Sequence, residues 1–168
     1  MNAEIVSISM DELRRGLRLC GGNVTRFVRD VDILLKDSSD WHAIAFAIFA
    51  FEELGRYKML KDLQESTVEG STVMVNQSCL RNHVYKQQVA RGLMSPEETK
   101  LFDGSFWKAL GGNFRDADTF ASHQVRMDCM YVDLKNGKWD SGVPVNPELI
   151  RKFCASIISA LNNLGGPF

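Results

Sequence analysis

An apolar run at residues 43–51 constrains the fold of this chain more than any other segment. It has no polar face, and it continues directly into Glu52-Glu53-Leu54-Gly55-Arg56. Its alanine content and the continuing pattern favour a helix over a strand. A helix that is apolar all round lies in the middle of a bundle, with neighbours on most sides. The run is far shorter than the ~20 residues that span a bilayer, so we expect a central helix at residues 41–64.

Helical patterns flank this segment on both sides. Ser9 and Glu12 form a capping box, and apolar residues then recur at steps of three and four as far as Lys36, with Gly21-Gly22 as a weak point or kink. Glycine, proline and asparagine signals mark the ends of four more elements. We predict helices at residues 72–92, from Ser95-Pro96 to Gly111-Gly112, at residues 116–131, and from Asn146-Pro147 to Gly165-Gly166. Residues 133–145 are predicted to be irregular, with a tight turn at Asn136-Gly137.

Length and composition fit one all-α domain over residues 1–168. The chain has no internal repeat or linker, and it is long enough to bury a core without metal or disulfide support. Twenty Lys and Arg against twenty-one Asp and Glu give a net charge of −1, which excludes a broadly basic nucleic-acid coat. The four cysteines form no CxxC pair, so we expect buried free thiols, no metal and no cofactor. Without signal architecture or a membrane span, we expect a soluble cytoplasmic protein.

The polar end of the central helix is the first candidate site. Glu52 and Glu53 follow the apolar run, and a buried carboxylate there needs a cation or hydrogen-bond donors. Adjacent helical residues point about 100° apart, so we expect at most one glutamate to face the apolar stripe. Glu52 is one turn from Arg56 and can pair with it. The alternatives are a solvated helix end or structural ion pair, and a polar functional site.

Two His-x-x-basic pairs form the second set of candidates. His83 and Lys86 share a helix face, as do His123 and Arg126. Residues 70–95 hold three basic residues, Arg81 among them, and no acid. This basic segment could contact a phosphate, pair with Glu52 and Glu53, or form a solvated face.

Histidine with a nearby cation is suited to cleaving RNA without a metal. A histidine takes or gives the proton near neutral pH, and Arg or Lys holds the phosphate. In this interpretation His83 or His123 is the acid or base, and Arg81, Lys86 or Arg126 binds the phosphate. Glu52 or Glu53 orients the base or pairs with a cation. The remaining histidine, His42, is predicted to be a helix-start or packing residue.

The order of these motifs resembles the AbiV family of bacterial abortive-infection proteins, within the HEPN superfamily of helical domains. The matching parts are the Ala/aromatic run into Glu-Glu-x-Gly, the segment with Arg81, His83 and Lys86, and Tyr131-Val-Asp133 before Trp139. The family-like positions are Glu52, Glu53, Gly55, His83, Lys86, Tyr131 and Asp133. Arg56 stands where the family usually has lysine, and the Arg-x(4–6)-His motif of many HEPN ribonucleases is absent.

The resemblance implies a HEPN-like bundle of about five to six helices, a homodimer, and a role in phage defence. The function predicted from it is an effector that arrests growth or translation through RNA, with a metal-independent endoribonuclease as the enzyme version. Here Arg81, Lys86 and Arg56 would contact RNA phosphates. The alternatives are a non-catalytic binding or dimerisation module of a defence or toxin–antitoxin system, and a nucleotide-binding domain. The expected partners are RNA or a nucleotide and a phage-encoded protein trigger, with no membrane.

Overall fold

The architecture is an all-α bundle, as predicted, with two small strand pairs that were not predicted. The computed structural model describes residues 4–102, 133–135, 138–140 and 146–166, and within these it has six helices. In chain order the elements are β1 (Ile5–Ile8), α1 (Met10–Lys36), α2 (Asp40–Ser66), β2 (Val73–Asn76), α3 (Gln77–Arg81), α4 (His83–Arg91), α5 (Pro96–Phe102), β3 (Asp133–Lys135), β4 (Lys138–Asp140) and α6 (Pro147–Asn163).

Helix α1 begins and ends as its sequence predicts. The Ser9 hydroxyl accepts a hydrogen bond from the backbone N–H of Glu12 at 3.2 Å, which satisfies one amide of the first turn. The helix continues through Gly21-Gly22 as one element. Its predicted apolar stripe faces the core, where Leu13, Leu17, Cys20, Val24, Val31 and Leu35 are buried.

Helix α2 is the central element, as its apolar run predicts. It packs against α1, α4 and α6, and its buried residues extend from Ala43 to Leu60 on all sides. The rings of Phe51 and Phe153, the latter on α6, lie 5.2 Å apart between centroids. Because neighbours cover α2 on several sides, polar residues in its middle have packed helices around them instead of water.

The prediction of a single helix at residues 72–92 is wrong. Its first part is strand β2, which pairs antiparallel with β1 in the register Ile5↔Asn76 to Ile8↔Val73. Val73 and Val75 are buried while Met74 is exposed, the alternation of a strand with one covered face. β-branched residues at the inward positions favour this extended form over a helix.

Two asparagines divide the rest of that segment into two helices. The side chain of Asn76 accepts from the backbone N–H groups of Ser78 and Cys79 and caps α3. The side chain of Asn82 accepts from the backbone N–H of Tyr85 and caps α4. Asparagine competes for backbone donors in this way, so it favours helix starts over helix interiors. The break at Asn82 separates α3 from α4, the helix that packs against α2.

Of the elements predicted after residue 92, only some lie within the described residues. The Ser95 hydroxyl and the Glu98 carboxylate form a reciprocal capping box at the start of α5, as predicted from Ser95-Pro96. The predicted end at Gly111-Gly112, the helix at residues 116–131 and the turn at Asn136-Gly137 lie outside the described residues. The irregular segment predicted at 133–145 contains β3 and β4, which pair antiparallel, so that prediction is wrong for these strands.

The last helix agrees with its predicted caps. The Asn146 side chain accepts from the backbone N–H of Glu148 at 3.0 Å, with Pro147 in the first turn. In the part of the chain that the structure describes, no helix has the length and apolarity to cross a membrane.

Gly55 sets how closely α4 approaches α2. A Cβ added to Gly55 would overlap the carbonyl oxygen of Lys86 and would lie 2.8 Å from its carbonyl carbon. The overlapped atoms belong to backbone, which moves only if α4 moves as a whole. Glycine therefore allows the contact between the two helices, which explains its position in the middle of a helix that otherwise disfavours it.

We predict that Gly55→Ala lowers the free energy of unfolding by about 3 kcal/mol, because overpacking forces α4 away from α2. Gly22→Ala in α1 is the matched control, since Gly22 is exposed and nothing lies within 4 Å of its added Cβ. That control should raise stability by about 0.5–1 kcal/mol through helix propensity. Urea unfolding followed by circular dichroism measures both, and equal effects of the two substitutions would contradict the packing argument.

Candidate functional site

A buried carboxylate at the end of the apolar run organises the candidate site. Glu52 is 3% exposed, and its carboxylate is contacted by three side chains of α4. His83 Nδ1 lies 2.6 Å from Oε2, Lys86 Nζ lies 3.3 Å from Oε2, and the Gln87 amide donates to Oε1 at 2.9 Å. The sequence candidates Glu52, His83 and Lys86 are therefore together in space, at the interface that Gly55 allows.

Glu53 faces the opposite neighbour. It is 8% exposed, and its carboxylate pairs with Arg56 Nη1 at 2.7 Å. The amide of Asn23 on α1 donates to Glu53 Oε2 at 3.4 Å. Arg56 Nε also donates to the backbone carbonyl of Leu80 at 3.3 Å, which ties α2 to α3.

Two expectations about these glutamates are wrong. Arg56 pairs with Glu53, three residues before it, and not with Glu52, because the Glu52 carboxylate is turned toward α4. Both glutamates are buried, although they point about 100° apart on the helix. The reason is that α2 has a packed helix on each of the two sides, so each carboxylate is buried against a different neighbour.

Lys86 is a buried cation. It is 2% exposed, so the solvated-face interpretation of the basic segment is wrong for this residue. Burial lowers the pKa of the Lys86 ammonium, the nearby Glu52 carboxylate opposes this, and the Arg56 guanidinium adds to the lowering. The ammonium lies 3.3 Å from the Glu52 carboxylate and both side chains are buried, which is the geometry of a structural ion pair.

His83 combines a buried partner with an accessible ring. Its side chain is 52% exposed, whereas the Glu52 carboxylate that it contacts is almost fully buried. A carboxylate that accepts from Nδ1–H fixes the tautomer and the ring orientation, and this directs Nε2 away from Glu52. The arrangement is a histidine positioned by a carboxylate at the protein surface, which suits proton transfer.

The other candidate residues have different surroundings. Arg81 is exposed on α3, where it pairs with Glu4 at 2.8 Å and contacts Gln77. His123, Arg126 and Tyr131 lie outside the described residues, and Asp133 begins strand β3. His42 Nδ1 lies 2.8 Å from the Ser39 hydroxyl at the start of α2, which confirms its predicted place at a helix start.

Gln87 was missed in the sequence analysis. It is 1% exposed and donates to Glu52. A signal was present, because Gln87 follows His83 by four residues and so lies on the same face of α4. The side chain of Gln87 is a neutral amide, so it is not part of the charge pattern that indicated His83 and Lys86.

The described residues show no cluster of three or more His, Cys, Asp or Glu side chains able to hold a metal ion. Cys20 and Cys154 are buried free thiols, as predicted, and Cys79 is half-buried. Cys129 lies outside the described residues.

In this helical bundle the Glu-Glu-x-Gly-Arg segment of the central helix packs against a helix with His-x-x-Lys, as the resemblance to HEPN-type domains implies. The family model described as AbiV matches residues 12–145. The chain belongs to this family, which confirms the resemblance and indicates a protein of the abortive-infection, HEPN type. No curated protein matches the chain, and no solved structure matches it.

We predict that Lys86→Met lowers the free energy of unfolding by about 3 kcal/mol, because the Glu52 carboxylate stays buried after its cation is removed. Lys152→Met is the control, since Lys152 is an exposed residue of α6 and should change stability by less than about 0.5 kcal/mol. Denaturant unfolding of both variants tests the difference. A Lys86→Met protein as stable as the Lys152→Met protein would contradict the ion-pair role.

Proposed function

We propose that this protein is a phage-defence effector that arrests growth or translation by cleaving RNA without a metal, with His83 as the acid–base group. The observation that carries the proposal is the 2.6 Å contact between His83 Nδ1 and the buried Glu52 carboxylate, on a ring that is 52% exposed. A histidine held in this way is prepared for proton transfer to a bound substrate. The AbiV family match supports the defence role.

The chemistry follows from the orientation of the ring. With Nδ1–H donated to Glu52, Nε2 of the neutral imidazole is a proton acceptor. It takes the proton of a ribose 2′-OH, the 2′-oxygen attacks the adjacent phosphorus, and the bond from phosphorus to the 5′-oxygen breaks. The leaving 5′-oxygen takes a proton from a general acid, a role that we assign to His123. The products are a 2′,3′-cyclic phosphate and a 5′-hydroxyl end.

The two basic residues near His83 have different proposed roles, one in positioning Glu52 and one in binding phosphate. Lys86 is buried against Glu52, so we assign it to holding that carboxylate in place. Arg81 is 69% exposed and lies two residues before His83. Its ion pair with Glu4 is at the surface, where such pairs contribute little, so a phosphate can replace Glu4 at low cost. Arg126 remains the second predicted phosphate contact.

The alternative proposal is a non-catalytic binding module of a defence or toxin–antitoxin system. A specific observation favours it: Glu52, Lys86 and Gln87 form a buried polar network that would stabilise a helix pair without any reaction. The absence of an Arg-x(4–6)-His motif points the same way. This alternative predicts that His83 is dispensable.

RNA cleavage in EDTA tests the proposal. The purified full chain should cut a fluorescent RNA in EDTA, and His83→Ala should reduce the rate about 100-fold or more, the usual contribution of a general acid–base group. His42→Ala is the matched control, because His42 is an exposed histidine in the first turn of α2, and it should retain the wild-type rate. Glu52→Gln should lower the rate and change its pH profile, since the positioning carboxylate is lost.

Two outcomes would contradict the ribonuclease proposal. Full cleavage by His83→Ala would remove His83 from the mechanism. Growth arrest in cells by both the wild type and His83→Ala, with no RNA cleavage by purified protein, would favour the binding module.

We also propose that the protein acts as a homodimer and responds to a phage-encoded protein. Family membership supports both parts. Light scattering at micromolar concentration should give the mass of two chains, and the mass of one chain would contradict the dimer.

A further inference from the structure

A cavity on the other side of α2 from His83 is unused by the proposed reaction. It has a volume of about 390 Å³ and lies between the β1–β2 sheet, α1 and α2. This volume is within the range of small-molecule sites. Aliphatic side chains form much of its wall, among them Val6, Ile8, Leu13, Leu19, Leu60 and Val75.

One ion pair supplies the main polar feature of this cavity. Glu53 and Arg56 both line it, with side chains that are 10% and 31% exposed. Glu53 Oε1 pairs with the Arg56 guanidinium, and Oε2 accepts a hydrogen bond from Asn23. Each oxygen has capacity for a further hydrogen bond. Arg56 uses Nη1 for the Glu53 carboxylate and Nε for the Leu80 carbonyl, so its Nη2 group can donate to an acceptor on a ligand.

The hydrogen bonds that this ion pair can still form define the edge of a ligand that would fit it. The Glu53 carboxylate can accept from a donor on the ligand, and Arg56 Nη2 can donate to an acceptor. Because the two groups are paired, the donor and the acceptor of the ligand should be adjacent. The Glu53–Arg56 pair is neutral overall, and the other carboxylate of the lining, Glu12, is largely exposed and pairs with Arg15. A charged ligand would therefore bring an uncompensated charge into a largely apolar cavity at high cost. A neutral ring with an N–H beside a C=O satisfies both groups and places its apolar faces against the aliphatic wall.

The thiol of Cys20 also lines the cavity, but it offers no reactive thiolate. Burial, followed by the nearby Glu53 carboxylate, raises the pKa of Cys20 to about 12. The cavity is therefore suited to reversible binding and not to covalent capture.

We propose that this cavity is a binding site for a neutral heterocycle with a lactam edge, whose N–H donates to Glu53 and whose C=O accepts from Arg56. The class includes the oxo-nucleobases and related cyclic amides. The site is separate from the Glu52–His83 pair, and its occupancy requires neither RNA nor cleavage.

Titration with two matched probes tests the lactam edge. Hypoxanthine carries N1–H beside C6=O, and 1-methylhypoxanthine keeps the ring and the carbonyl but lacks that donor. Calorimetry and ¹⁵N-detected NMR on the full chain should show saturable binding of hypoxanthine and about tenfold or more weaker binding of the methylated probe, since a hydrogen bond to a charged group is lost. Equal binding of both probes, or no binding of hypoxanthine at millimolar concentration, would overturn the proposal.

Two exposed positions of α1 provide matched cavity variants. Leu19 lines the cavity and is 60% exposed, whereas Ile33 is 50% exposed and is not among the lining residues. Leu19→Trp should block the cavity and abolish hypoxanthine binding, and Ile33→Trp should bind like the wild type. Because both side chains are largely exposed, both variants should fold. Unchanged binding by Leu19→Trp would place the ligand elsewhere and overturn the site.

The RNA-cleavage assay separates this proposal from the proposed function. If Leu19→Trp loses hypoxanthine binding but still cleaves RNA at a rate that depends on His83, the result would support both the binding site and the proposed function. Lactam binding by a protein without ribonuclease activity would support the site alone.

Discussion

The buried carboxylate of Glu52 is the interaction on which the site depends. A carboxylate that is 3% exposed requires charge compensation and donors, and α4 supplies them through His83, Lys86 and Gln87. These contacts form only because Gly55 lets the backbone of α4 approach α2 closely. Packing and chemistry therefore share one cause. Because Gly55 has no side chain, α4 can pack close to α2, and this close packing brings His83 to the Glu52 carboxylate.

The central position of α2 explains why two adjacent glutamates have separate environments. On a surface helix one of them would face water, but α2 lies between α1 on one side and α4 on another. Glu52 contacts His83, Lys86 and Gln87 of α4. Glu53 pairs with Arg56 of its own helix and accepts from Asn23 of α1. The middle of α2 thus carries two separate polar sites, one beside an exposed histidine and one beside an apolar cavity.

The sequence predicted the parts of the fold in which one signal dominates. The stripe of α1, the all-round burial of α2 and the Asn146-Pro147 start of α6 are long or well-capped patterns, and all agree with the structure. The segment at residues 72–92 was mispredicted because strand β2 is only four residues long and is stabilised by a partner strand near the N-terminus. For the site, the sequence identified Glu52, His83 and Lys86. It could not show that Arg56 belongs to Glu53, because that choice depends on which neighbour each carboxylate faces.

The near-neutral charge of the chain now has a structural interpretation. The acid-free segment at residues 70–95 does not form a continuous basic surface, since Lys86 is bound to Glu52 and Arg81 to Glu4. Binding that relies on many phosphate contacts needs many accessible cations, and in this segment Lys86 and Arg81 pair with acids elsewhere in the chain. An RNA substrate at His83 would therefore be held by a few local contacts, in which Arg81 exchanges Glu4 for a phosphate. Recognition at such a site depends on the shape and bases of the RNA more than on its charge, which favours an unpaired, accessible segment over a regular duplex.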